Sequence, residues 1–371
     1  MADIPRKLIV PKNVTDALRA VIFPGSTENL VELDMVQEIR MAGKKVSFSL
    51  VFQRSDDPNI QEVIQLCEET ILKELGPDVE IKGNITAKAI HQMERPILPE
   101  VKNIIAVSSG KGGVGKSTVA VNLAVALAKT GAAVGLIDAD IFGPSVPKMF
   151  GAEHMQPRGI QIDGKEMIQP VEQYGVKILS IGFFVSQNDA LVWRGPMASN
   201  ALKQLITGGN WGKLDYLLID LPPGTSDIHL TLVQTVPVTG AIIVSTPQDV
   251  ALADVIKGVS MFRGKGVDVP VIGLVENMAW FTPEELPDNK YYIFGKDGAK
   301  DLAEKMDIPL LGQIPLVQGI REGGDAGVPA ASDEQSPMGK AFLQLAANTI
   351  KQVESRNAEK APTKKVKVTR K

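Results

Sequence analysis

The stretch Ser109-Gly110-Lys111-Gly112-Gly113-Val114-Gly115-Lys116-Ser117-Thr118 has residue types and spacing suited to holding a phosphate chain. It satisfies G-x-x-x-x-G-K-[ST], with Gly110 and Gly115 as its glycines and Lys116-Ser117 at its close. A phosphate chain needs several backbone N–H groups aimed at one point, and side chains would block that approach. Gly110, Gly112, Gly113 and Gly115 leave it open, while Val114 and Thr118 complete the expected nucleotide-binding run. Lys116 is expected to reach the β- and γ-phosphates of ATP, and the Ser117 hydroxyl to ligate Mg²⁺. The flanks agree, because residues 101–108 form a short β-branched apolar run and residues 117–129 read as a buried helix.

Carboxylates follow at two further places. A strand expected over 132–137 runs into Asp138-Ala139-Asp140, and one over 214–219 runs into Asp220-Leu221-Pro222-Pro223-Gly224. Acids at the carboxyl ends of parallel strands face the crevice where ligands bind. An apolar strand ending in Asp is the Walker B arrangement, so Asp220 is expected to hold Mg²⁺ through water. Pro222-Pro223-Gly224 reads as a switch that rearranges when the γ-phosphate leaves. The bland alternative for such acids is helix capping, and Asp227 is expected to cap a helix over 228–235. His91, His154 and His229 are scattered singly and suggest no metal site.

Lys111 is a second lysine inside the loop, giving K-G-G-V-G-K-S-T. Two ammonium groups so close repel unless polyphosphate lies between them. This deviant loop resembles that of the MinD/ParA/nitrogenase-iron-protein class of P-loop ATPases. The resemblance implies that Lys111 reaches the nucleotide of the other subunit in an ATP-sandwiched homodimer, as an arginine finger does. It also implies that Asp138 lies near the metal shell and that Asp140 positions or deprotonates the attacking water. Catalysis would then rest on Lys111, Lys116 and Asp140.

These groups need a scaffold, and the chain has the alternation for one. Hydrophobic residues are 44% and charged residues 22%, an ordinary globular balance. From 101 to about 353, expected strands at 132–137, 177–181, 214–219, 241–245, 271–275 and 309–314 alternate with helices at 197–206, 228–235, 250–262, 299–306 and 338–353. That is the pattern of an α/β P-loop NTPase with a mostly parallel sheet flanked by helices. Residues 1–90 read as a separate small α/β domain. It comprises a helix at 15–21, a hairpin of 35–40 with 46–52, a helix at 58–75 and a strand at 79–86. Residues 91–100, with Pro96 and Pro99, read as a linker, 101–355 as the ATPase domain and 356–371 as a basic, disordered tail. A net charge of −3 gives no evident DNA binding, and no membrane span or signal region is seen. One cysteine, Cys67, excludes an internal disulfide and fits a reducing, cytoplasmic setting. It lies on the apolar face of its helix and reads as a core thiol.

KGGVGKST, DADIFGPS, WRGPM, IDLPPGTSD and ENMAWF occur together in this order. That set resembles the Mrp/ApbC family of ATPases, relatives of the eukaryotic Nbp-type scaffolds, and the leading domain resembles the MIP18-like small domain often fused ahead of them. The resemblance implies a homodimer that carries iron–sulfur clusters to apoproteins or works with assembly factors. It also implies that Asn277 faces the adenine and that Pro315 and Leu316 line its pocket. Two cysteine sites of these families are vacant here. The loop after the hairpin, Gln53-Arg54-Ser55-Asp56-Asp57-Pro58, holds no thiol, and the stretch from Phe281 to Gly295 lacks the C-x-x-C that would bind a cluster. Iron–sulfur clusters need thiolates or imidazoles, so no iron–sulfur ligands are identifiable in this chain. Three readings follow: an ATPase of iron–sulfur assembly whose cluster is bound elsewhere, a nucleotide switch controlling partner binding, and a scaffold that binds nucleotide without turnover.

Overall fold

The computed structural model describes residues 10–91, 97–141, 143–162, 164–184, 195–264, 267–283, 285–286, 288–361, 363 and 365–366. The chain divides into two units, Met1–Pro96 and Ile97–Lys371.

In the first unit, helix α1 (Pro11–Leu18) precedes strands β1 (Val36–Ala42) and β2 (Lys45–Arg54), helix α2 (Ile60–Leu75) and strand β3 (Ile85–His91). Helix α1 starts at Pro11, four residues before the expected helix, because a proline at the first helical position has no N–H to leave unpaired. The hairpin of β1 and β2 turns at Gly43, whose φ of +65° suits glycine. The strand expected over 79–86 is a correction. Val79 and Ile81 are buried and Glu80 makes a single bridge to Lys45, but a turn through Gly83 (φ +74°) follows, and β3 pairs with β2 only from Ile85. Phe48, Leu50 and Phe52 of β2 share a core with Val63, Cys67 and Ile71 of α2, which recur at helical spacing. Cys67 is fully buried there, and burial pushes its thiol up to about 12.

The second unit opens with β4 (Val101–Ser108), α3 (Lys116–Lys129), β5 (Val134–Asp138) and the short α4 (Val146–Met149). Then come β6 (Arg158–Ile162), β7 (Lys165–Gln169), β8 (Val171–Gln173), β9 (Val176–Ser180), α5 (Gly195–Gly208), β10 (Leu214–Asp220) and α6 (Asp227–Thr235). The remainder is β11 (Gly240–Ser245), α7 (Asp249–Arg263), β12 (Val271–Phe281), α8 (Gly298–Lys305), β13 (Leu310–Leu316), α9 (Gln318–Ala326) and α10 (Pro337–Glu359). The large sheet has the order β13-β12-β11-β4-β10-β5-β9-β8, parallel except where β8 meets β9. Successive residues of β4 serve opposite cores. Ile105 and Val107 pack with α3 and α10, and Ile104 and Ala106 pack with α5, α6 and α7. Burial on both faces is why these strands are near-continuous apolar runs.

The hairpin β6–β7, strand β8 and helix α9 have no counterpart among the expected elements. The C-terminal stretch also needs correction. Helix α10 runs to Glu359, four residues into the expected tail, and Arg356 is nearly buried. Beyond it, the Val366 N–H donates to the Val233 carbonyl at 2.9 Å and its side chain packs on the core. The count of lysines had hidden the valine among them. Trp193 and Arg194 of the WRGPM motif and Phe142 of DADIFGPS lie outside the described residues.

Candidate active site

Strand β4 sits between β10 and β11, and β5 lies on the far side of β10, so the carboxyl ends of β4, β10 and β5 share one edge of the sheet. The loop from Ser109 to Gly115 leaves that edge. Gly113 and Gly115 adopt φ of +82° and +79°, and Gly115 is the left-handed residue that launches α3. The four glycines serve different ends. A Cβ on Gly110 would enter the backbone of α7 at Asp254 and Val255, and one on Gly115 would strike the Asn277 side-chain amide. A Cβ on Gly112 would touch only Pro223, at 3.8 Å. Gly112 and Gly113 therefore keep the cradle open, while Gly110 lets the loop seat on its neighbour.

The cradle encloses about 230 Å³ and is lined by Lys111, Gly112, Gly113, Gly115, Lys116, Ser117, Thr118 and Asp140, with Ser145, Met149 and Pro223. Lys111 is exposed at its rim. The Lys116 ammonium turns toward the acids: it donates to Asp220 Oδ1 at 2.5 Å and to Ser117 Oγ at 3.2 Å, and lies 4.0 Å from Asp140 Oδ2. Asp138 and Asp220 are register partners in the β5–β10 pair, both fully buried. Asp138 accepts from Ser180 Oγ at 2.9 Å and from the Asp140 N–H at 3.1 Å. Burial, followed by the charge of Asp220, raises the Asp138 carboxyl well above the ordinary range.

This donor set fits a hydrated Mg²⁺. Asp220 Oδ2 is buried without a hydrogen-bond partner, and the Lys116 ammonium is the one cation paired with Asp220 among the described residues, beside the second buried acid, Asp138. Magnesium keeps several waters and takes few protein ligands, so the Ser117 hydroxyl with Asp220 and Asp138 behind water suffices. No larger cluster of His, Cys, Asp and Glu suited to a metal occurs among the described residues.

A second cavity of about 360 Å³ adjoins the cradle, sharing Gly115, Thr118, Ser145 and Met149 with it. Asn277, Pro315 and Leu316, the residues expected near the adenine, line it. Asn277 Nδ2 already donates to the Val114 carbonyl at 2.8 Å, so the residue also ties β12 to the phosphate loop. Val114 itself is a buried core side chain, and neither it nor Gly110 lines either cavity. The opposite wall comes from α9, through Ile320, Arg321, Gly324 and Asp325. These residues escaped the sequence reading because α9 carries three glycines and buries no residue, leaving no apolar stripe to see. Asp227 is the first residue of α6, and Ser226 is its cap.

Residues 100–350 match the family model described as ParA: NUBPL iron-transfer P-loop NTPase, and residues 11–82 match the one described as iron-sulfur cluster assembly protein. An iron-sulfur cluster carrier protein of Synechocystis sp. is 45% identical over 340 residues, covering 90% of this chain and 95% of the relative. One from Escherichia coli (strain K12) is 43% identical over 351 residues, covering 91% and 93%. Among solved structures, a nucleotide-binding protein in complex with ADP from Archaeoglobus fulgidus is 37% identical with a TM-score of 0.57, covering 66% of this chain and 94% of that one. With a family model matched over residues 100–350 and relatives more than 40% identical along most of their length, the chain belongs to the NUBPL iron-transfer P-loop NTPase family.

Proposed function

We propose that this chain is a slow, Mg²⁺-dependent ATPase that acts as a homodimer in iron–sulfur cluster assembly and transfer. The observation that carries this reading is the convergence of Lys116, Asp140, Asp138 and Asp220 beneath an open glycine cradle that adjoins a base-sized cavity. In the reaction, Lys116 exchanges Asp220 for the β- and γ-phosphate oxygens. Asp140, on the cradle wall, orients the attacking water and takes its proton. Mg²⁺, when bound through Ser117 and the strand-end acids, neutralises the phosphate oxygens.

Lys111 supplies the remaining positive charge from a second copy. Its exposure at the cradle rim leaves it able to reach a neighbouring molecule. Helix α7, on which Gly110 seats, also shows Val250 and Ile256 to solvent, apolar side chains suited to a partner. The test is complementation. Lys111→Ala and Asp140→Asn are each expected to bind ATP with turnover cut on the order of 10³-fold. Mixed, they form sites with an intact acid from one copy and an intact lysine from the other, so activity returns. A mixture as dead as its components would place the lysine in its own site and reject the dimer reading.

The cluster is cargo held by a partner. The chain has one cysteine, buried in the first unit with its thiol raised to about 12, so no thiolate set exists to grip iron. This same observation favours a second reading, in which the nucleotide cycle switches partner binding and no cluster is involved. ATP-dependent capture of iron–sulfur apoproteins supports the first reading, and capture of other partners alone supports the second.

A further inference from the structure

His229 belongs to neither cavity, yet it is fully buried in the first turn of α6. Its Nδ1 accepts the Ser226 backbone N–H at 3.2 Å. With Nδ1 acting as acceptor, the ring proton sits on Nε2, which donates to Ser108 Oγ at 3.2 Å. Ser108 is the last residue of β4, immediately before the phosphate loop, and Ser226 ends the loop that follows Asp220. One neutral ring thus spans the two loops that surround the phosphates. Backbone bonds run the same way, from Gly224 N–H to the Ser109 carbonyl at 2.9 Å and from Leu221 N–H to the Val107 carbonyl at 3.0 Å. Phe262 backs the imidazole, with ring centroids 6.3 Å apart. Both ring nitrogens are used, one as donor and one as acceptor, so a protonated ring or a swapped tautomer would break one of the two links.

We propose that His229 is a positioning residue for hydrolysis: it holds the loop after Asp220 in register with the phosphate loop through Ser108. The inference rests on the ATPase reading above. It predicts an effect on turnover with little effect on nucleotide affinity, because His229 lines neither cavity.

Two substitutions separate this role from simple capping of α6. Asn reproduces the acceptor toward Ser226 and stops short of Ser108. Gln places an amide N–H near the former Nε2 and reaches Ser108. His229→Asn is expected to lower kcat about tenfold to a hundredfold, with KM for Mg·ATP unchanged within about twofold. His229→Gln is expected to restore most of the turnover. Ser108→Ala should match His229→Asn, and the Ser108→Ala/His229→Asn double variant should lose no more than either alone. Full activity in His229→Asn, an equal rise in KM, or additive losses in the double variant would overturn the proposal.

A turnover-free arm keeps the two readings apart. On binding a non-hydrolysable ATP analogue, the amides of Leu221, Gly224, Thr225 and Ser226 should gain protection from hydrogen exchange in the wild-type chain and in His229→Gln, and not in His229→Asn. Equal protection in all three would overturn the positioning role. A chain that gains this protection without hydrolysing ATP would instead sink the ATPase reading and leave the coupling in place.

Discussion

Lys116 Nζ donates to Asp220 Oδ1 at 2.5 Å, with side chains 5% and 0% exposed, so the lysine proposed to grip phosphate is held by the acid proposed to serve the metal. On the proposed function, nucleotide binding is therefore an exchange. The ammonium moves to phosphate oxygens, and Asp220 needs another cation in its place. Mg·ATP is expected to bind on the order of a hundredfold more tightly than ATP in EDTA. Asp220→Asn should erase most of that difference. Titration calorimetry with and without magnesium reads it, and equal affinities in the wild-type chain would contradict the exchange.

The same pair governs stability. Lys116→Ala leaves two buried carboxyls with no ammonium beside them and is expected to cost about 3–5 kcal/mol. Adding Asp220→Asn removes the uncompensated charge, so the double variant should recover much of the loss. Urea unfolding of the three proteins measures this. A double variant less stable than Lys116→Ala would show the pair to be incidental.

Gly110 and Gly112 should fail in different ways. Gly110→Ala drives a Cβ into the α7 backbone and is expected to lower stability by about 1–3 kcal/mol. Gly112→Ala meets only Pro223 and should fold within about 0.5 kcal/mol of wild type, yet bind ATP weakly because the methyl enters the cradle. Thermal unfolding and ATP titration together distinguish them.

What the sequence made legible was local. Gly110 to Thr118 is contiguous, and Asp138 and Asp220 close apolar runs, so the chemistry proposed for them follows from short-range pattern. The reasons behind individual glycines were not legible, because the Gly110–Asp254 and Gly115–Asn277 contacts join residues far apart in the chain. His229 was passed over for the same reason: its partner Ser108 lies 121 residues away. Helix α9 has few apolar residues and buries none, and Val79 and Ile81 alternate as a strand would although a turn follows them.

Acid should act through His229. Burial lowers its imidazole to about 4, whereas an unfolded histidine protonates near 6.5. Between those values the unfolded chain binds the extra proton, so this group's contribution is present above about pH 6.5 and lost as pH falls toward 4, by at most about 3 kcal/mol. His229→Gln lacks that dependence. Its stability deficit relative to wild type should shrink from pH 7.5 to pH 4.5, as followed by urea unfolding, and a constant deficit would contradict the buried neutral ring.

Phosphate release by the purified chain, followed with ATP in millimolar magnesium, bears most directly on the whole account. Continuous release that stops in EDTA and in Lys116→Ala is the expected result. A chain that holds no ATP, or releases phosphate equally well without Lys116, would contradict it.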